Sequence, residues 1–515
     1  MINANLGKGG TSFKRLLDAE YDDDKFTARK LAADGSQLPN PRVISRAFMD
    51  DNDEFETIYS DLLVYYGQFL AHDIAEIMDT QINGQFIDCP CGSLDRLCLP
   101  IEIPENDDRM SQSCITFTRS QGGVSTNGDN YEQFNFLSSF IDATQVYGSS
   151  ETISDELRSF DGGKMKVSEE NYLPLSETDF SCSANFDLQC FIGGEPRPSE
   201  NLALTGVHTL HVREHNRIAT ELASLNPRWS DDILYNEARR IVTAIYQNIV
   251  YNEWLPAVIG ERDNLKPLTS GYFRGYDSSV NPSTSNEFAV SAFRFGHSLI
   301  RENLDRYNRL NSVTGNVNLS SIIFDSTEAY SNGGIESIFF GLLSQPTSKF
   351  DISIVNTLQN HLFQIADSDA LDLPALNINR ARDHGVPGYT KYRQLCGGRR
   401  ITNFNQLSNV MSTDNINKLR NVYSSVDDID LFVGGLLENP LDNAVVGSTV
   451  ACIIEKQFSD LKLGDRFYYE NGPSSTAFRP DQLTEIRKSS ISGMICNNFR
   501  PTTIQPSGFR MPINR

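Results

Sequence analysis

The chain has 515 residues, 39% of them hydrophobic and 22% charged, an ordinary balance for a globular protein with a large buried core. A formal net charge of −22, with acidic clusters at Asp22-Asp23-Asp24 and from Asp50 to Glu56, argues against nucleic acid or an anionic membrane surface as partner. No apolar run reaches membrane-spanning length, and Met1-Ile2-Asn3-Ala4 opens directly into polar sequence, so no signal peptide or transmembrane segment is expected and the chain reads as a mature or recombinant one.

Residues 1–50 are polar and punctuated, and Leu38-Pro39-Asn40-Pro41-Arg42 predicts an extended arm lying on the body. A helix is expected over 54–78. Within it Leu62, Leu63, Tyr66, Phe69, Leu70, Ile74 and Ile77 recur at helical spacing and define a buried face. Gln68 and His72 interrupt that face four residues apart, one above the other. They fit either a dry reaction chamber or a core histidine satisfied by its neighbouring amide. Asp73 points elsewhere and suggests a second polar site.

Segment 79–130 is rich in cysteine and glycine. Of nine cysteines, Cys89, Cys91, Cys98 and Cys114 crowd here, Cys182 and Cys190 flank a short loop, and Cys396, Cys452 and Cys496 lie apart. The spacing C-x-C-x6-C-x15-C lacks the paired C-x2-C of common zinc modules, so disulfides in an oxidising compartment fit better. Nine is odd, which leaves at least one thiol unpaired or bonded to another chain. Asn318-Leu319-Ser320 is a glycosylation sequon and agrees with secretion.

Long helices are expected over Leu202 to Leu225 and Ser230 to Tyr251, broken at Asn226-Pro227, with Ser230 capping the second. Residues 262–286 read as a loop. Helical patterns resume at 287–304, 333–344, 354–366, 413–423 and 442–462. With no repeat, no linker and no sustained alternation, the expectation is one large, mainly α domain.

Four further stretches carry chemistry. Ser138, Asp142 and Thr144 bear oxygens at alternate positions and, with the Phe140 carbonyl and Asp73, would suit calcium; a capped turn is the plainer reading. In Gly193-Gly194-Glu195-Pro196-Arg197-Pro198-Ser199-Glu200-Asn201, capping by Ser199 and Glu200 of the helix that follows leaves Arg197 unexplained. His208, His211 and His215 share a helix face, as a three-histidine metal site or as structural residues. Phe293-Arg294-Phe295-Gly296-His297 predicts a helix on which Gly296 admits something flat and Arg294 meets an anion. Asn377 would hold the second nitrogen of His297, with Arg380 as a further anion clamp.

These motifs resemble, in order, those of the animal haem peroxidases (the peroxidase-cyclooxygenase superfamily). They are G-Q-F-L-A-H-D, S-S-F-I-D-A-T, R-P-S-E, L-T-G-V-H-T-L-H-V-R-E-H-N-R, F-R-F-G-H, L-N-I-N-R-A-R-D-H-G and the G-S-T-V-A-C-I-I-E-K-Q-F-S-D-L-K-L-G-D-R-F-Y-Y-E-N run at 447–471. The similarity covers about residues 38–500 and looks closest to the peroxidasin and invertebrate peroxidase branch. It implies an N-terminal arm over 1–37 and a catalytic domain over 38–515, with haem between central helices and little β-structure.

The resemblance implies that His72 is the distal histidine, with Gln68 beside it and Arg197 as the distal arginine. His297 would ligate the haem iron, held by Asn377, while Arg294 and Arg380 meet the propionates. Asp73, Ser138, Phe140, Asp142 and Thr144 would bind calcium, and His208, His211 and His215 would be structural. It also implies the disulfides Cys89–Cys98, Cys91–Cys114, Cys182–Cys190 and Cys396–Cys452, with Cys496 free for a matrix or oligomer contact. The activity implied is that of a secreted oxidoreductase that reduces hydrogen peroxide. Through a ferryl intermediate it would oxidise iodide, bromide, thiocyanate or phenols such as tyrosine. Alternatives are a fatty-acid dioxygenase and an adhesive or matrix protein on a peroxidase scaffold; Leu463-Gly464-Asp465 is a near miss for an integrin-type tripeptide.

Two departures bear on the haem b cofactor. Family members commonly carry an ester-forming aspartate where this chain has Ala71, which leaves Glu200 alone for an ester link. Asn201 stands where the strongest chloride oxidiser has a sulfonium-forming methionine, so chloride is not expected to be an efficient donor.

Overall fold

Asn40 ends the N-terminal arm by capping the first helix, α1 (Pro41–Phe48). Its Oδ1 accepts from the N–H groups of Arg42 (2.7 Å) and Val43 (3.4 Å), and Pro41 takes the first helical position, where no amide hydrogen is needed. The extended arm expected through Arg42 therefore stops two residues earlier. Arg42 is carried into the interior, where it pairs with Asp107 (2.7 Å) and Asp372 (2.6 Å). The computed structural model describes residues 6–50, 54–124, 131–182, 188–261, 272–364, 368–472 and 477–512. Parts of the acidic cluster at 50–56, of the segment 79–130, of the loop at 262–286 and of the helix expected at 354–366 lie outside the described residues.

The helix expected over 54–78 is shorter at both ends. Phe55–Ser60 is a strand, paired antiparallel with Pro346–Ser348, and α2 covers Leu62–Ile74. Ala75 is extended because the Ile74 carbonyl is claimed by side chains: Asn135 Nδ2 (2.8 Å) and Thr284 Oγ1 (2.8 Å) both donate to it.

α3 (Leu202–Leu225) is buried without a break from Leu202 to His215 and forms the centre of the molecule. Its cap is Asn201, whose Oδ1 accepts from the Leu204 N–H (2.9 Å); Ser199 instead donates to the Phe191 carbonyl. α4 (Asp231–Ile249), capped by Ser230, runs on into a π-helical turn, Val250–Trp254. From that turn the Trp254 indole donates to the Leu63 carbonyl (2.9 Å) and ties α4 to α2.

The helix expected over 287–304 resolves into Asn286–Val290, a 3₁₀ helix Ala292–Leu299, and a strand Asn303–Tyr307 that pairs with Val313–Asn318. The helix expected over 354–366 covers Asn356–Asn360. Later helices include α5 (Gly334–Ser344), α6 (Leu373–Asp383), α7 (Ser448–Gly464) and α8 (Ile491–Asn498), and Thr413–Val422 is helical as expected. The fold is mainly α, 41% helix against 12% strand, and its largest described sheet has three short strands. One continuous apolar core runs from Ile44 to Phe509.

The arm is stitched to this body. Thr11–Ser12 adds a strand to Tyr131–Asn135, Lys14 pairs with Asp460 (2.8 Å) and Arg29 with Asp430 (2.7 Å). All four disulfides implied by the resemblance are present, and Cys496 is free and exposed. No helix among the described residues is long and apolar enough to cross a membrane.

Candidate active site

A cavity of about 320 Å³ opens between α2, the start of α3 and the 3₁₀ helix. Gln68, Ala71, His72, Arg197, Glu200 and Asn201 line it from the first two; Arg294, Gly296 and His297 line it from the third. Seven of the residues singled out from sequence thus meet on one cavity, along with Ala71 and Asn201.

The 3₁₀ geometry matters because residues three apart eclipse each other. Arg294 and His297 therefore face the same way, and both reach Asn377 on α6. Its side-chain amide lies 2.8 Å from His297 Nδ1, and its Oδ1 accepts from Arg294. Burial, and then the Arg294 charge, pulls His297 down to about 3, which keeps the imidazole neutral. Arg294 itself has no carboxylate partner among the described residues, and burial followed by the Arg380 charge lowers it to about 9. It is a cation waiting for an anion.

Arg380 stands differently from the expectation. It does not line the cavity. Its guanidinium is engaged by Asp79 (2.9 Å), Ser120 Oγ (2.8 Å) and the Thr118 carbonyl (3.0 Å), above the Phe117 ring.

On the α2 side, Gln68 accepts from Asn201 Nδ2 (3.1 Å). His72 is buried, its Nε2 lying 3.7 Å from Glu200 and its Nδ1 3.4 Å from Glu195. Arg197 pairs through Nε with Glu195 and donates to the Ala75 carbonyl (3.3 Å). Glu195 has no role in the reading from sequence. A signal was available: residues 195 and 197 of a Pro-punctuated, extended stretch face the same way, and only one of the two had an assignment. Trp254, which also lines the cavity, was missed for another reason, since nothing local marks the π-helical turn that aims it there.

The donor set fits haem on grounds internal to the chain. A neutral histidine whose Nδ1 faces an amide can offer Nε2 as a ligand once that amide holds the proton on Nδ1. A Cβ added to Gly296 would meet nothing within 4 Å, so the backbone there opens onto free space. Aromatic rings of Phe288, Phe293 and Trp254 form part of the wall, and Arg294 supplies the uncompensated charge that propionates require.

The oxygens proposed for calcium also come together. Asp73 is buried from solvent and Asp142 is partly buried beside it. Asp73 accepts from the Thr144 N–H (2.7 Å) and the Ala143 N–H (3.2 Å), while Asp142 accepts from Ser138 Oγ (2.9 Å) and from the Thr144 hydroxyl. Phe140 sits in the loop between them, its N–H donating to Ser138 Oγ (3.2 Å). Burial first, and then the neighbouring Asp142, raises Asp73 well above the carboxylate range; burial likewise raises Asp142. Two neighbouring carboxylates, one raised by the charge of the other, make a donor set suited to a hard cation.

This loop touches the segment that carries Arg197. Gly194 donates to the Gln145 carbonyl (2.9 Å), and a Cβ there would lie 2.0 Å from the Thr144 oxygen. Only glycine permits that approach.

The three helix histidines do not form a metal site. His215 is used at both nitrogens, by Tyr147 (3.1 Å) and the Gly163 carbonyl (2.8 Å), His211 bonds the Val207 carbonyl (2.9 Å) and stacks on Phe69, and His208 packs edge-on to Phe69. No cluster of three or more metal-binding side chains occurs among the described residues.

A cavity with two separated histidines, one held by an amide and one sharing a carboxylate with an arginine, suits a haem-dependent oxidoreductase. The animal haem peroxidase family model matches residues 1–509, and the chain belongs to that family. Heme peroxidase 2 of Caenorhabditis elegans is 36% identical over 96% of this chain and 72% of its own length. The chorion peroxidase of Drosophila melanogaster is 35% identical over 97% of this chain and 64% of its own length. Among solved structures, Peroxidase A from Dictyostelium discoideum superposes with a TM-score of 0.84 at 29% identity, over 99% of this chain and 97% of that one. A fatty acid alpha-dioxygenase from Oryza sativa reaches 0.80 at 18% identity, covering 99% and 85%, which shows a shared fold alone. The chain is a haem peroxidase, an oxidoreductase acting on hydrogen peroxide.

Proposed function

We propose that this peroxidase uses hydrogen peroxide to oxidise iodide, bromide, thiocyanate or small phenols such as tyrosine, outside the cell. The observation that carries the reading is the meeting of His72, Arg197 and His297 on one cavity. His297 and Asn377 would hold haem b from one side, with Arg294 facing its propionates and Glu200 as its sole ester partner. Bound haem supplies the redox change that cleaves the O–O bond. His72 Nε2 takes the proton from one peroxide oxygen and returns it to the departing one. Arg197 stabilises the negative charge that develops as the bond breaks, and Gln68, fixed by Asn201, orients what enters.

Asp73, Asp142, Thr144, Ser138 and the Phe140 carbonyl would hold calcium, and through Asp73 that ion sets the end of α2 that carries His72. Four disulfides support an oxidising, extracellular setting. Exposed Cys496 would be the point of contact with a matrix or oligomer partner, and Asn318 a glycosylation site.

The deciding experiment is an absorption spectrum of the haem-loaded protein before and after peroxide, repeated with His72→Ala. A peroxide-driven spectral change in the parent, reversed by iodide and absent in the variant, supports the reading. Turnover of a long-chain fatty acid without added peroxide would replace it with the dioxygenase reading.

A further inference from the structure

Glu195 lies between the two groups that act on peroxide, yet it does not line the cavity they share. Its residue exposure is 5% and its side chain has none. One oxygen, Oε1, accepts from the Arg197 backbone N–H (3.0 Å) and faces His72 Nδ1 at 3.4 Å; the other, Oε2, pairs with Arg197 Nε. His72 Nδ1 is buried and meets no closer polar partner among the described residues.

From this arrangement we infer that Glu195 is the positioning residue of the peroxide-cleaving pair, setting the tautomer of His72 and the place of Arg197 through one buried carboxylate. The inference rests on the peroxidase reading above. An ionised carboxylate only accepts hydrogen bonds, so a carboxylate behind the ring requires the proton on Nδ1. That leaves the Nε2 lone pair facing the cavity, where a peroxide proton arrives. When His72 takes that proton the imidazolium is stabilised by the anion behind it. Glu195 stays ionised throughout. Burial alone would raise it, but Arg197 and then His72 outweigh burial and hold it at about 2.

The plainer alternative is that Glu195 only closes the turn into Arg197. That role is filled by the contact to the Arg197 N–H. It requires neither full burial nor an approach to His72. The approach exists because Gly194 lets the segment lie against the Thr144–Gly148 backbone, which brings residue 195 in behind α2.

The test uses the haem-loaded protein and reads two steps separately by rapid mixing: the spectral change driven by peroxide and its reversal by iodide. Glu195→Gln keeps the side-chain shape and an acceptor for the Arg197 N–H but removes the charge. The peroxide step should slow by roughly a hundredfold, the scale of acid–base catalysis, while haem content and the iodide step stay within twofold. Glu195→Asp, which keeps the charge, should stay within tenfold of the parent; a drop as deep as that of Glu195→Gln would overturn the inference. So would a Glu195→Gln peroxide step within threefold of the parent.

A second readout needs no turnover. With ¹⁵N-histidine labelling, His72 is one of seven histidine signals and is assigned by its loss in His72→Ala. It should show the Nδ1–H tautomer in the parent and a mixed state in Glu195→Gln. An Nε2–H tautomer in the parent would sink the inference, even if the parent proved inert to peroxide and the peroxidase reading itself failed.

Discussion

Asn377 stands behind His297, its side-chain amide 2.8 Å from Nδ1, and the same amide takes a hydrogen bond from Arg294. In this arrangement Nδ2 faces Nδ1, which leaves the ring proton on Nε2. For Nε2 to ligate it must be bare, so the proton would sit on Nδ1 with the amide oxygen turned toward it. That turn would free Arg294 to meet an anion. Asn377→Leu should therefore weaken haem binding by about 10- to 100-fold, the range seen for such supporting partners. Asn377→Asp should retain haem, pair with Arg294 and lower the reduction potential by enriching the histidine. A redox titration giving Asn377→Asp a potential at or above the parent's would refute this account.

The two cavity histidines should fail in different ways. His297→Ala should lose haem or leave it disordered, because Arg294 and Glu200 alone do not ligate iron. His72→Ala should keep haem and lose the peroxide step. Haem content and peroxide reactivity, measured side by side, separate the two; equal peroxide turnover in His72→Ala and the parent would remove the distal assignment.

Local pattern carried much of the site because its residues sit on short, strongly marked stretches. Gln68 and His72 are fixed by a four-residue helical spacing, and Arg294 and His297 by a single 3₁₀ run. Element boundaries were poorly legible where tertiary partners set them. α2 stops at Ile74 because Asn135 and Thr284 claim its last carbonyl from far along the chain, and the strand Phe55–Ser60 forms only against Pro346–Ser348. The start of α1 is a cap that resembles a turn, since Asn-Pro serves a helix N-terminus as readily as a loop. Glu195 was only partly legible: its spacing to Arg197 could be read, but its approach to His72 depends on a loop segment meeting α2, which no spacing encodes.

Asp430 joins the arm to the haem-side helix α6. It is fully buried and accepts from Arg29 (2.7 Å), Arg382 (2.7 Å) and the Tyr423 hydroxyl (2.9 Å). Burial would raise its carboxyl, but Arg382 and Arg29 outweigh burial and hold it below the usual range. Its stabilisation is therefore complete above the unfolded carboxylate value of about 4 and is lost as pH falls through the lower folded value. Asp430→Ala should cost about 3–5 kcal/mol, since two arginines are left buried without their anion. It should also flatten this part of the acid limb. Denaturant midpoints followed from pH 7 to pH 2 would show both effects; a midpoint unchanged at pH 7 would contradict the pairing.

Calcium removal should act on the haem pocket through the backbone. Asp73 follows His72 directly, and the loop that would hold the ion touches Gly194, so losing the ion should disturb both His72 and Arg197. Asp142→Ala should abolish bound calcium and slow the peroxide step more than the iodide step. Metal analysis finding no calcium in active protein, with activity untouched by Asp142→Ala, would count against the site.

Ala71 and Glu200 both line the cavity, and only Glu200 carries a carboxylate that could link to haem; its Oε2 lies 3.7 Å from His72 Nε2. With Ala71 in place a second ester cannot form, so attachment is single at most. Asn201 is committed to capping α3 and to Gln68, and its amide forms no bond equivalent to a sulfonium. A macrocycle clamped at one edge is less distorted than one clamped at two, and distortion is among the levers on haem reactivity. Both absences point the same way, toward a weaker oxidant that favours iodide and thiocyanate over chloride. Denaturing gels stained for haem, before and after low peroxide, should show one covalent population that depends on turnover. Ala71→Asp should add a second bond and raise bromide oxidation, and Glu200→Gln should leave haem fully extractable. Haem that remains covalently bound in Glu200→Gln would show that another side chain makes the link.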